Sequence, residues 1–115
     1  MNQPERELQI ACFTYFRLQY PLMAGLYFAI PNGGSRNVRE AVNLKRSGTL
    51  SGVADTFLAF PTKYHHGLWI EFKSLKGKMS DNQMTFQAEV VEQGYEYRIV
   101  NSFDEFIKVI KEYLK

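Results

Sequence analysis

The chain has 115 residues, of which 45% are hydrophobic and 15% aromatic, and its formal net charge is only +2. This length suits one domain with a buried core, so we predict a single domain over residues 1–115 and exclude a disordered chain. The near balance of 14 Lys and Arg against 12 Asp and Glu gives weak support for a polyanionic partner. No apolar run is long enough to cross a bilayer, so no membrane partner is expected.

Cys12 is the single cysteine of the chain. One cysteine cannot form an internal disulfide or a thiolate metal site, and its neighbours Ala11 and Phe13 predict a small buried side chain. The first residues lack the apolar segment of a secretion signal. We therefore expect an intracellular, cytoplasmic protein.

The first half of the chain predicts a helix, a strand and a second helix. Apolar residues at helical spacing indicate a helix over residues 4–19, which Pro21 ends. Residues 26–30 form a short apolar run that predicts a strand, and Pro31 with two glycines marks the loop after it. Residues 35–47 contain good helix formers before Gly48, with Val38, Ala41, Val42 and Lys45 near one stripe, and predict the second helix.

The second half predicts a β-hairpin, a helix, a strand and a last helix. Residues 53–60 and 67–73 are rich in β-branched and aromatic side chains and are joined by a connection of hairpin length. Capping-box patterns at Ser80 and Ser102 open the two helices, and residues 95–100 form the strand between them. The order predicts an α+β protein in which one mixed sheet is flanked by helices.

Three polar residues occupy positions at which the hairpin strands would prefer apolar ones. The two-residue period of a strand places Trp69, Glu71 and Lys73 on one face. Asp55 lies on the partner strand, and pairing near the open end would bring it close to Glu71. Two such carboxylates repel unless a cation lies between them. We expect this cluster on a strand pair at the edge of a twisted sheet.

Oxygen ligands favour a hard cation such as Mg²⁺ or Mn²⁺, which retains waters and binds substrate phosphate. That chemistry suits phosphodiester hydrolysis, with the Lys73 ammonium orienting the nucleophile or neutralising charge on the phosphate. The alternative is that Glu71 and Lys73 are ordinary side chains of a solvated sheet face. For an isolated Glu-x-Lys this alternative is favoured, so the tripeptide alone decides nothing.

Three segments together are more specific, namely residues 46–55, 68–73 and 77–83. With Glu5-Arg6-Glu7-Leu8-Gln9 and Pro31-Asn32-Gly33-Gly34, they closely resemble the VRR-NUC family, a branch of the PD-(D/E)XK nuclease superfamily. The resemblance spans nearly the whole chain and suggests a small stand-alone member of phage or bacterial type. Ala54 replaces the usual proline before Asp55, which leaves the backbone there less constrained.

The resemblance implies a restriction-endonuclease-like core of helix, three strands, helix and strand. It also implies that Asp55, Glu71 and the backbone carbonyl of Phe72 bind the metal ion, with Lys73 beside them. The first helix supplies a further acid. On a helical wheel Glu5 lies on the apolar side and Glu7 points away, so Glu5 is the preferred catalytic and metal-binding residue, although Glu7 stays possible.

Gln83 has two equally weighted interpretations. It completes the capping box begun by Ser80, and the family pattern also places a glutamine there, near the nucleophilic water or the DNA. The loop after the first strand offers exposed amides and a guanidinium, against the alternative of an ordinary turn. His65 and His66 lie in the predicted hairpin turn and lack partners for a zinc site. The residues predicted to contact nucleic acid are Asn32, Gly33, Ser35, Arg36, Arg46, Lys76 and Lys78.

The function implied is divalent-metal-dependent cleavage of DNA, with branched substrates such as four-way junctions or flaps preferred by analogy with small stand-alone members. The cytoplasm of a bacterial or phage-infected cell is the expected location. Ile10 and Phe13 lie outside the main stripe of the first helix, which predicts a homodimer contact, unless both are core residues. Two other classes remain open: a DNA-binding module of the same fold that does not cut, and a protein-interaction domain.

Overall fold

A computed structural model describes residues 1–31 and 37–115 of the chain. The predicted order of helices and strands is confirmed, with one short 3-10 helix added after Tyr20, where Pro21 ends α1 but permits a tighter turn. The strands are shorter than predicted because hydrogen-bonded pairing stops before the apolar pattern does. The elements are α1 (Gln3–Gln19), the 3-10 helix (Pro21–Leu26), β1 (Tyr27–Ala29), α2 (Val38–Arg46), β2 (Thr56–Leu58), β3 (Leu68–Phe72), α3 (Asp81–Glu92), β4 (Glu96–Val100) and α4 (Phe103–Leu114).

The four strands form one mixed sheet in the order β1-β2-β3-β4. β2 pairs antiparallel with both β1 and β3, which confirms the hairpin, and β4 joins β3 in parallel after the α3 crossover. The hairpin therefore lies in the centre of the sheet, and its expected position at the edge was wrong. β1 covers the outer side of β2, and β4 covers the outer side of β3.

One face of the sheet carries the main core, which α1 and α4 cover. Alternation along β3 places Leu68, Ile70 and Phe72 on this face. Cys12 is fully buried here, as expected, and its burial raises the pKa of the thiol to about 12. The buried core residues are Cys12, Phe16, Tyr27, Leu58, Leu68, Ile70, Phe72, Val100, Phe106, Val109, Ile110 and Tyr113.

α3 packs on the opposite face, where Phe86 contacts the rings of Trp69 and Tyr97 at centroid distances of 5.0 and 6.4 Å. Ser80 begins α3 with a complete capping box, and Ser102 caps α4 by accepting from the Glu105 amide, so both predicted helix starts are confirmed. The Ser80 cap fixes where α3 begins, and the first turn of α3 contacts Glu71 through Gln83.

α2 forms as predicted but buries none of its side chains. Val38 and Val42 of the expected stripe are 80% and 48% exposed. The predicted start at Ser35 falls outside the described residues. Within the described chain, no helix has the length and apolar character needed to span a membrane.

Candidate metal and nucleic-acid-binding site

The acidic pair is created by the register of the central hairpin. Thr56 lies opposite Ile70, so Asp55, one residue before β2, lies opposite Glu71. Asp55 Oδ2 accepts a hydrogen bond of 2.8 Å from the Phe72 amide, and the Asp55 carbonyl accepts another from Ile30. Asp55 thus continues the pairing beyond the end of β2 and is oriented towards β3.

Both carboxyl groups are held in an environment that disfavours their charged forms. Glu71 is only 2% exposed, and burial followed by the nearby charge of Asp55 raises its pKa to about 8. Burial also raises the pKa of Asp55, although the Phe72 amide opposes this. A buried pair of like charges is unfavourable unless it has a cationic partner, so the arrangement indicates a binding site rather than a contribution to stability.

Lys73 and Gln83 both contact the same oxygen of Glu71. Lys73 Nζ lies 3.8 Å from Glu71 Oε2, and Gln83 Nε2 donates to that oxygen at 3.0 Å. Gln83 Oε1 accepts from the Ser80 amide, which can only donate, so the capping box itself points the Nε2 group at Glu71. The two interpretations of Gln83 are therefore compatible in one side chain.

Glu5 lines the pocket that also contains Asp55 and Glu71. Glu7 is instead exposed and accepts a hydrogen bond from Gln3. Glu5 is 8% exposed, and its Oε2 accepts hydrogen bonds from the Ser74 amide and the Asn2 side chain. The helical wheel thus assigned the correct acid to the side that faces the sheet. The Ser74 amide connects Glu5 to the start of the loop that follows β3, and Asn2, the N-cap of α1, holds the same oxygen.

A hard divalent cation fits this donor set. Glu71 Oε1 is buried and accepts no hydrogen bond from the described residues. The Phe72 amide points towards Asp55, and the carbonyl of a strand residue lies on the same side as its amide. In residues 1–31 and 37–115, no three His, Cys, Asp or Glu side chains converge on one point. Two carboxylates with a carbonyl are nevertheless sufficient for Mg²⁺, which retains waters and binds phosphate.

The site opens into a pocket of about 410 Å³. It brings together five of the predicted catalytic and metal-binding side chains, namely Glu5, Asp55, Glu71, Lys73 and Gln83. The residues predicted to contact nucleic acid are divided. Arg46, Lys76 and Lys78 are exposed and lie outside the pocket lining, at the end of α2 and in the loop after β3. Asn32, Gly33, Ser35 and Arg36 lie outside the described residues.

Sequence reasoning missed several residues around the pocket. Lys45 lines it, and the grouping of Arg39, Lys45 and Arg46 along α2 was the signal that could have indicated this. Tyr97 is 7% exposed, and burial together with the charges of Glu71 and Asp55 raises the pKa of its phenol. Nothing in the strand pattern of β4 could have predicted that proximity. His65 and His66 lie between β2 and β3, as expected for the turn.

The fold and the pocket define an α+β protein with an acidic pair, of which Glu71 is buried and Asp55 partly buried, at the end of its central hairpin. The model of the VRR-NUC domain matches residues 5–104, and the chain belongs to this family, which is a family of nucleases. No curated protein matches the chain. A solved structure of a VRR_NUC domain protein shares 22% identity and superposes with a TM-score of 0.84 over 99% of this chain and 90% of that chain, which confirms the fold.

Proposed function

We propose that the protein is a divalent-metal-dependent nuclease that hydrolyses DNA phosphodiester bonds. The observation that carries the proposal is the pairing of the buried Glu71 with the partly buried Asp55. Glu71 Oε1 lacks a partner in the described chain, and the pocket that contains both acids also contains Lys73. Membership of a nuclease family supports the same conclusion. We also propose a substrate preference for branched DNA, such as four-way junctions or flaps.

Asp55, Glu71 and the Phe72 carbonyl would hold Mg²⁺ or Mn²⁺, and Glu5 is the candidate for a further, outer contact. When bound, the cation lowers the pKa of water and offsets negative charge on the phosphate. The protein residues have separate roles. The Phe72 amide orients Asp55, and Gln83 orients Glu71 through a bond whose direction the capping box determines.

Lys73 is the cationic group next to the acids. Its side chain is 17% exposed, with Nζ close enough to Glu71 to be held beside it while still reaching the pocket. A partly desolvated ammonium there stabilises charge that develops on a phosphate more strongly than a fully solvated one would. Lys73 can also hold the attacking water by a hydrogen bond. The exposed Lys76 and Lys78 in the loop that follows would bind flanking phosphates.

A homodimer is part of the proposal. Ile10 is 58% exposed and, with the 43% exposed Phe28, lines a groove of about 340 Å³ between α1 and the edge strand β1. Phe13 instead stacks on Tyr27 at a centroid distance of 4.4 Å, so its exposed part forms only the floor of that groove. A second copy that covers this groove would place two acidic pockets on one substrate.

A cleavage assay on labelled single-stranded, duplex, flap and four-way substrates tests the function. We expect cutting with Mg²⁺ or Mn²⁺, its loss with EDTA, and faster cutting of branched substrates. Undiminished cutting in EDTA, by a preparation whose Glu71→Gln variant cuts equally well, would overturn the mechanism. Salt-sensitive retention on DNA without cutting under any metal would instead indicate a binding module.

A further inference from the structure

The pocket that holds the acids has a second wall that the cleavage chemistry does not need. Leu44, Leu50 and Val53 line this wall, which faces the same cavity as Asp55 and Glu71. Leu50 is 60% exposed and Leu44 is 37% exposed. The Leu44 and Leu50 side chains take no part in the core, since α2 buries no residue and Leu50 is exposed in the segment that follows α2. Apolar surface kept next to a phosphate site suggests a ligand with an apolar part.

The wall is attached to the same helical turn that orients Glu71. Gly52 lies so close to α3 that an added Cβ would come within 2.5 Å of the Asn82 backbone. The Asn82 side chain also donates to Ser51 Oγ at 3.1 Å. The next residue, Gln83, bonds to Glu71. The separation between the apolar wall and the acids is therefore set by one short, capped segment of α3.

We propose that this wall binds an unpaired nucleobase adjacent to the phosphodiester held by the acids, so that the preferred substrate is DNA with an unpaired nucleotide at the cleavage point. This inference rests on the proposed function. Each phosphodiester of DNA lies next to a nucleotide whose base is flat and has largely apolar faces. In a duplex the faces of the bases are stacked inside, and the outer surface presents sugar, phosphate and the polar edges of the bases. The wall can therefore contact the face of a base only when that nucleotide is unstacked.

The size and charge of the pocket agree with this ligand. A cavity of about 410 Å³ has more room than a phosphate and its waters require. Lys45, next to Leu44 in the chain, and Lys73, beside Glu71, both line the pocket, so cations are available to the phosphates on either side of such a base. Unstacking a base costs free energy, and contact with Leu44 and Leu50 offsets that cost most readily where the base is already unpaired.

The test measures binding in Ca²⁺ by fluorescence anisotropy with three matched DNAs. One is fully paired, one has a short single-stranded flap, and one has the same flap built from abasic units, which keeps the charge and removes the bases. We expect the protein to bind the flap with bases about tenfold more tightly than the abasic flap, as suits burial of one leucine-sized contact. Leu50→Ser should remove this difference, and Leu50→Phe should keep or increase it because aromatic rings stack on bases.

Leu22→Ser is the matched control, because Leu22 is 98% exposed on the 3-10 helix. It should leave the preference unchanged. Equal affinity for the two flaps, or an equal loss for all three DNAs in Leu50→Ser, would overturn the inference. Cleavage with Mn²⁺ separates the two proposals. Base-dependent binding without any cutting contradicts the nuclease function alone, and cutting that ignores the bases contradicts this inference alone.

Discussion

At the scale of single residues, Asp55 and Glu71 are the part of the molecule that opposes folding. Each loses solvation, which raises the pKa of both groups, and the nearby charge of Asp55 raises the pKa of Glu71 further. Hydrogen bonds from Phe72 and Gln83 compensate only in part. Such a pair is kept for what it binds, so its removal should have opposite effects on activity and on metal-free stability.

Replacing Glu71 with Gln tests whether activity and metal-free stability change in opposite directions. Gln retains the shape and an oxygen that accepts from Gln83, but it loses the charge that holds the cation. We expect cleavage to fall roughly a hundredfold or more. The midpoint of thermal unfolding in EDTA should be unchanged or higher, and stabilisation by Mn²⁺ should shrink. Glu7→Gln, on the exposed side of α1, is the control and should match the parent. Parental cleavage by Glu71→Gln would mean that the site is misplaced.

The raised pKa of Glu71 predicts how metal-free stability depends on pH. The folded-state pKa is about 8 against an ordinary value of 4.5, so between these values the folded protein binds more protons than the unfolded chain. Stability in EDTA should therefore be highest at the acidic end and fall by up to a few kcal/mol as pH rises through this window. The raised pKa of Asp55 acts in the same direction.

Urea unfolding at about pH 5.5 and pH 8.5 measures this slope, and Glu71→Gln should flatten it. Added Mn²⁺ should reverse the trend, because the ligands must lose their protons before they bind a metal. A parent protein whose stability in EDTA rises across the window would contradict the assigned environment of the pair.

At the scale of elements, the short segment between α2 and β2 determines where the pocket wall and Asp55 lie. Gly48 and Gly52 both have positive φ, at 108° and 92°. An added Cβ meets nothing within 4 Å at Gly48, whereas at Gly52 it meets the Asn82 backbone. Substitutions at the two glycines therefore distinguish the effect of backbone strain, present at both, from the effect of moving the segment, expected only at Gly52.

Gly48→Ala should cost about 1–2 kcal/mol, the strain of an L-residue at positive φ, with little change in cleavage. Gly52→Ala carries the same strain and must also move α3 or the segment itself, so we expect a larger loss of stability and a loss of cleavage beyond the unfolded fraction. Chemical denaturation together with cleavage rates measures both. Equal effects of the two substitutions would show that contact with Asn82 does not position Asp55.

At the scale of the whole molecule, the exposed groove beside β1 is where we expect a second copy to bind. β1 is an edge strand, and Phe28 on this strand and Ile10 on α1 are both partly exposed. Ile10→Asp should convert a dimer to a monomer, because a charge would be buried without a partner in the contact. Light scattering at micromolar concentration measures the mass. A monomeric parent, with and without DNA, would refute the dimer, and Leu18→Asp on the exposed end of α1 is the control.

The sequence by itself determined the order of the elements, the hairpin, the capped starts of α3 and α4, and the candidate residues of the acidic cluster. These depend on local spacing: two-residue alternation places Glu71 and Lys73 on one face, and Ser80 with Gln83 begins a helix. Hairpin pairing placed Asp55 beside Glu71, and the family resemblance added the first-helix acid and the Phe72 carbonyl. Glu5 could be preferred over Glu7 because helical periodicity alone distinguishes their faces.

Only the tertiary structure decided which strands lie in the centre, that α2 stays outside the core, that Leu44 and Leu50 share a pocket with the acids, and that Tyr97 is close enough for their charges to act on it. Periodicity states which side of an element is buried, but it does not state which neighbour covers that side. The hairpin became central because β1 and β4, distant in the chain, pair with its outer sides. The dual role of Gln83 likewise exists only because the first turn of α3 lies over Glu71, a contact between residues 12 positions apart.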